Sequence, residues 1–182
     1  MFDSQNIYDL SDDFIFSYYL INSRNESTYS NYSILNKCSM NKITDSSFSR
    51  LIGVWETSGI IKSSEGNVKI TGIDSYEPVL ENNYILHKAD VRLGNNRSET
   101  MEFIKLDNLS NKAIMNYFNS NGEDGIMYGT IINDVFKIEG NGLRFEGNIG
   151  DGNTIIIGKW HIQADNENWV DYIDLTLKKR QL

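Results

Sequence analysis

His87 is the side chain whose neighbours best suit it for chemistry. It alternates with Ile85, Ala89 and Val91, so an extended strand places it on their apolar face, with Lys88, Asp90 and Arg92 on the other. An inward imidazole can hold a ligand or pass a proton. The plainer reading is a buried histidine satisfied by one hydroxyl or carbonyl. No nucleophile or metal partner stands at a recognisable spacing, and a neutral histidine needs a carboxylate to fix its tautomer. Asp74 and Glu102 are the candidates for that carboxylate. Asp74 and Tyr76 share the parity of Val68 and Ile70, whereas Glu102 alternates against Met101 and Phe103, which leaves its facing open. Glu77 reads as a rim carboxylate or a cross-strand partner of Arg92 or Arg144. Tyr117 follows Ala113 and Met115 in parity, and Trp160 follows Ile156. Such aromatics can grip a ligand by stacking plus one or two hydrogen bonds, and they fill a core equally well.

Composition narrows the chemistry further. The chain has 182 residues, a net charge of -8, one Cys and two His. One cysteine makes no disulfide framework or Cys-rich zinc site, and two histidines make no His-rich metal centre. The acidic balance repels phosphate backbones, so no nucleic-acid partner is expected. Cys38 has no acid or base near it in sequence and reads as an incidental thiol. Gly140-Asn141-Gly142 and Gly150-Asp151-Gly152 are hairpin turns rather than phosphate loops, since no Gly-Lys-Ser/Thr follows. The acidic start lacks the basic and apolar regions of a secretion signal, and no run approaches a membrane span. The expectation is a cytoplasmic protein with no membrane partner.

The elements that must position these residues are strands. From residue 51 onward, alternating runs are separated by turn signals such as Gly94-Asn95-Asn96, Asn121-Gly122, Asn133-Asp134 and Asp151-Gly152-Asn153. About ten strands are expected, near 51–60, 66–78, 83–93, 99–106, 112–119, 124–132, 134–140, 143–149, 153–163 and 168–178. No gap between them has room for a long helix, which rules out parallel crossovers. The fold class is therefore all-β: an antiparallel up-and-down barrel of about eight to ten strands, closed because closure removes exposed edges. At the upper end of that range the lumen is wider than side chains fill. Asp45-Ser46-Ser47 before Phe48, Leu51 and Ile52 reads as a cap and short helical turn leading into the first strand. Residues 1–47 read as a polar extension, partly flexible and contributing little to the core, with the barrel over 48–182. Within the extension, 22–33 is a polar linker and 14–21 is an apolar run that can pack on the barrel or pair with a second copy as a homodimer.

Gly53-Val54-Trp55, directly after the capped turn, resembles the opening of the lipocalins and their calycin relatives. That resemblance implies a glycine that lets the chain turn in, a tryptophan plugging one barrel end, and a basic residue from the last strand over the indole, here Lys178, Lys179 or Arg180. The ordered segments Leu51–Gly59, Gly72–Glu77, Leu86–Gly94, Met101-Glu102, Phe118–Gly122 and Gly158-Lys159-Trp160 resemble an uncharacterised bacterial family of calycin-like barrels, which implies the fold and no activity. The haem-binding nitrobindin barrels are a second comparison. His161 is the one candidate ligand, but the His-Leu-x-Ala pattern is missing, and alternation with Lys159 and Gln163 points it outward. No cofactor is expected.

The expected function is a barrel holding a small, partly apolar or aromatic molecule, with His87, Tyr76, Tyr117, Trp160, Asp74 and Glu102 lining the lumen. The alternative is a cofactor-free isomerase or cyclase using the same lumen for acid–base chemistry. A third reading is a scaffold whose barrel is packed shut.

Overall fold

The computed structural model describes residues 42–181 apart from 65, 108, 109, 111 and 165–167. Cys38, the apolar run 14–21 and the polar stretch 22–33 lie outside the described residues. Two short 3₁₀ turns, Ile43–Asp45 and Ser47–Leu51, lead into ten strands. These are β1 (Gly53–Ile61), β2 (Val68–Val79), β3 (Tyr84–Leu93), β4 (Asn96–Leu106), β5 (Ala113–Asn119), β6 (Asp124–Ile132), β7 (Val135–Gly140), β8 (Leu143–Gly150), β9 (Ile155–Gln163) and β10 (Trp169–Lys179). Each end lies within three residues of its sequence expectation. Every strand pairs antiparallel with its sequence neighbours, and β10 returns to β1 from Trp55↔Lys179 to Ile61↔Ile173, closing the barrel. Among the described residues no helix is long and apolar enough to cross a membrane.

The hairpin turns use residues that tolerate positive φ. Asn133 and Asp134 take φ of 48° and 69°, and Asn141 and Gly142 take 51° and 71°. These two-residue connections match the twist of the strands they join. The β2–β3 turn is less usual: Leu80, Glu81 and Asn82 all have positive φ. It is held by Asn83, whose Nδ2 donates to the Leu80 carbonyl at 2.9 Å.

One barrel end is plugged. Ser46 caps the second 3₁₀ turn by accepting from the Phe48 amide at 3.2 Å. That turn inserts Phe48 and Leu51 beside Trp55, all three buried. Trp55 Nε1 donates to the Leu51 carbonyl at 2.7 Å, which satisfies the indole inside the core. Gly53 has φ +133°, and a Cβ there would stand 3.2 Å from Lys179 Cε. Its absence lets Lys179 cross the strand end, with Nζ 4.7 Å from the Trp55 ring centroid and donating to the Arg50 carbonyl. Burial pulls the Lys179 pKa down. Ile43 falls inside the segment read as an extension, yet it is fully buried in the core, and its amide donates to the Asn82 carbonyl at 3.1 Å. The compact unit holding the barrel spans Met40–Leu182.

Candidate functional site

Register brings the polar residues into one inward row. Tyr76 on β2 stands opposite His87 on β3, His87 opposite Glu102 on β4, and Glu102 opposite Tyr117 on β5. Asp74 lies one inward step along β2, opposite the small Ala89. His87 Nδ1–H donates to Glu102 Oε2 at 2.6 Å, and Nε2–H donates to Asp74 Oδ1 at 2.8 Å. The Thr57 hydroxyl on β1 donates to the other Asp74 oxygen. Tyr76 lies flat on the imidazole, with ring centroids 4.1 Å apart and planes 6° off parallel. Asp74, His87 and Glu102 are all buried, at 7%, 8% and 8% exposure.

Burial by itself pulls the His87 pKa down. The charge of Glu102 and the hydrogen bonds to Asp74 and Glu102 outweigh it and raise the value to about 9. At neutral pH the ring is therefore an imidazolium with both N–H groups donating. Burial, then the charges of Asp74 and Glu102, push the Tyr76 phenol well above its usual range. With both ring nitrogens engaged, His87 offers no lone pair to a metal.

The row faces a cavity of about 370 Å³ inside the barrel. Tyr117 and Trp160 line it with Tyr76, His87, Asp74 and Glu102, so the structure brings all six sequence-expected residues to one lumen. Trp160 packs on Phe145 at 5.3 Å, and Phe145 on Phe136 at 5.7 Å, a chain of rings that reaches the plug at Phe48. Tyr117 Oη accepts from Asn141 Nδ2 at 2.9 Å, near the end of the barrel away from the plug. A larger depression of about 880 Å³ lies elsewhere, among Ile60, Ile157, Lys159 and Asp174. Lys69, Glu146, Lys159, His161 and Asp174 line it, and of these Glu146, Lys159 and Asp174 are held in ion pairs.

No protein-family model matches the chain, and no curated protein matches it. Solved structures do match. The crystal structure of Rv2717c from M. tuberculosis is 12% identical, covers 73% of this chain and 94% of its own, and has a TM-score of 0.56. The likeness is one of fold.

The structure decides two points that the sequence left open. In β4 the apolar pair Met101 and Phe103 faces outward, with Met101 exposed, while Glu102 and Ile104 face in. The closed sheet fixes that parity: Ile104 pairs with buried Ile85 and belongs to the core. Glu77 is solvent-exposed, as a rim carboxylate would be, and stands opposite Leu86, with Arg92 farther along the same strand pair opposite Thr71. Arg144 lies over the Trp169 ring at 4.5 Å. His161 points outward to Asp171 at 3.3 Å. Sequence reasoning missed Thr57 and Asn141. Thr57 shares parity with Trp55, which was a usable signal; Asn141 is a turn residue whose reach to Tyr117 depends on barrel curvature.

Proposed function

We propose that the lumen binds a small, partly apolar molecule, held by stacking on its aromatic wall and by hydrogen bonds to the Asp74–His87–Glu102 row. The observation that carries this reading is the cavity itself. At about 370 Å³ it falls within the range of small-molecule sites, and its largely apolar lining carries the fixed polar row together with Thr100, Asn119, Glu123 and Asn141. A barrel packed shut would leave no such space. The Gly53-x-Trp55 plug beneath Lys179 supports a calycin-like assignment of the barrel.

One observation favours the alternative, acid–base catalysis on a bound molecule: the two carboxylates fix the ring orientation that a catalytic histidine requires. The raised pKa weighs against it. A general base works best near the ambient pH, and an imidazolium at about 9 holds its proton. Binding is the better-supported reading.

A thermal-shift ligand screen on the native protein, His87→Ala and Ala89→Phe tests it. Ala89→Phe narrows the lumen and keeps every charge. Hits that stabilise the native protein and lose their shift in both variants are expected. Identical hits in all three proteins would remove the lumen as the site. Turnover of a hit, lost in His87→Ala, would establish the catalytic alternative.

A further inference from the structure

The charge of the lumen selects among ligands. Its lining carries three carboxylates, Asp74, Glu102 and Glu123, against a single basic group, His87, with no Lys or Arg among the described lining residues. His87 is fully engaged by Asp74 and Glu102, so it cannot also neutralise a ligand. Among the polar atoms of the lining are the Tyr76 hydroxyl and Glu102 Oε1. The Tyr76 hydroxyl, on a side chain only 6% exposed, makes no hydrogen bond to a described residue, and neither does Glu102 Oε1. Around them stand the faces of Tyr117, Phe145 and Trp160.

An anionic ligand would meet uncompensated negative charge in a low-dielectric space. A neutral apolar ligand would fill the volume and leave Glu102 Oε1 unsatisfied. A protonated amine on an aromatic or aliphatic body meets both demands. Its N–H groups reach the second Glu102 oxygen and the phenol oxygen, its charge balances the row, and the ring faces attract it through their quadrupoles. Resting on the reading of the lumen as a binding site, we infer that its ligand is an organic monocation, a protonated amine with an apolar body.

The test compares three indoles of similar size at pH 7 by calorimetry: tryptamine, neutral 3-ethylindole and indole-3-propionate. The neutral apolar dye N-phenyl-1-naphthylamine reports entry into the lumen independently. Tryptamine is expected to bind at least about tenfold tighter than 3-ethylindole, and indole-3-propionate weaker than both. Glu102→Gln is expected to abolish most of the preference for tryptamine over 3-ethylindole. If that variant does not fold, the three-probe series on the native protein decides alone. Dye entry with 3-ethylindole or indole-3-propionate equal to or tighter than tryptamine, or with no indole bound, overturns the cation and leaves the lumen reading intact. Exclusion of the dye together with all three indoles overturns both.

Discussion

His87 holds its charge inside the barrel because each ring nitrogen meets a carboxylate within 2.8 Å. A buried ion trio is no free source of stability, but breaking one is severe, because it leaves uncompensated charge. His87→Gln removes the cation and leaves Asp74 and Glu102 facing each other. The expected loss at pH 7 is about 3–5 kcal/mol, read by urea unfolding. The pH dependence follows in sign. The folded pKa, about 9, lies above the unfolded value near 6.5, so folding takes up a proton between them. The His87 contribution is complete below about pH 6.5 and is lost as pH rises through about 9. Urea unfolding from pH 6 to 9.5 should show the gap between native protein and His87→Gln shrinking as pH rises. A constant gap would mean that His87 is not held as an imidazolium.

Among the elements, β8 and β9 show how the wall accommodates its aromatic lining. Gly158 takes an ordinary strand conformation, so its need for glycine is steric. A Cβ there would stand 2.5 Å from Gly147 Cα, 2.6 Å from the Glu146 carbonyl and 2.6 Å from Phe145 Cζ. Two of those atoms are backbone and cannot move aside cheaply. Gly158→Ala should therefore destabilise by about 1–3 kcal/mol, and it should displace Phe145 and with it Trp160, visible as a change in near-ultraviolet circular dichroism. An unchanged spectrum with unchanged stability would show that the two strands have slack at this crossing. In β10 a register shift between Asp171 and Ile173 lets Asp171 and Asp174 both reach Lys62 on the outer surface. These pairs are exposed, and they add little to stability.

For the whole molecule, the plug and the closure of β1 on β10 make one cooperative body. Ile43, Phe48, Leu51 and Trp55 belong to the same core as Ile85, Ile104 and Met115. Two truncations should separate accordingly. A chain starting at Lys42 keeps Ile43 and the Ser46 cap, and one starting at Phe48 loses both. The second should be less stable than the first by at least about 2 kcal/mol, the lower end for removing a buried isoleucine side chain. Equal melting temperatures would mean that the plug is complete without the first 3₁₀ turn.

The sequence by itself determined the strands, because a period of two and turn residues tolerant of positive φ are local properties. It also determined the company of His87 on its own strand, whereas the plug role of Trp55 was implied by resemblance alone and the choice of Lys179 over Lys178 and Arg180 came from the structure. The sequence did not determine which face of β4 turns inward. Met101 and Phe103 outweigh Glu102 in apolar character, and no local rule prefers the acid inside. That choice belongs to register. A two-residue turn at Gly94-Asn95 pairs Leu93 with Asn96 and, counted back along the strands, His87 with Glu102. Read as the three residues Gly94-Asn95-Asn96, the same turn shifts the pairing by one and reverses the face. Barrel closure settled it, since Ile104 must join the buried core for the inner surface to be continuous. The meeting of Asp74, His87, Glu102 and Thr57 is likewise tertiary: their strands are adjacent around the barrel, and only its curvature points the four side chains at one another.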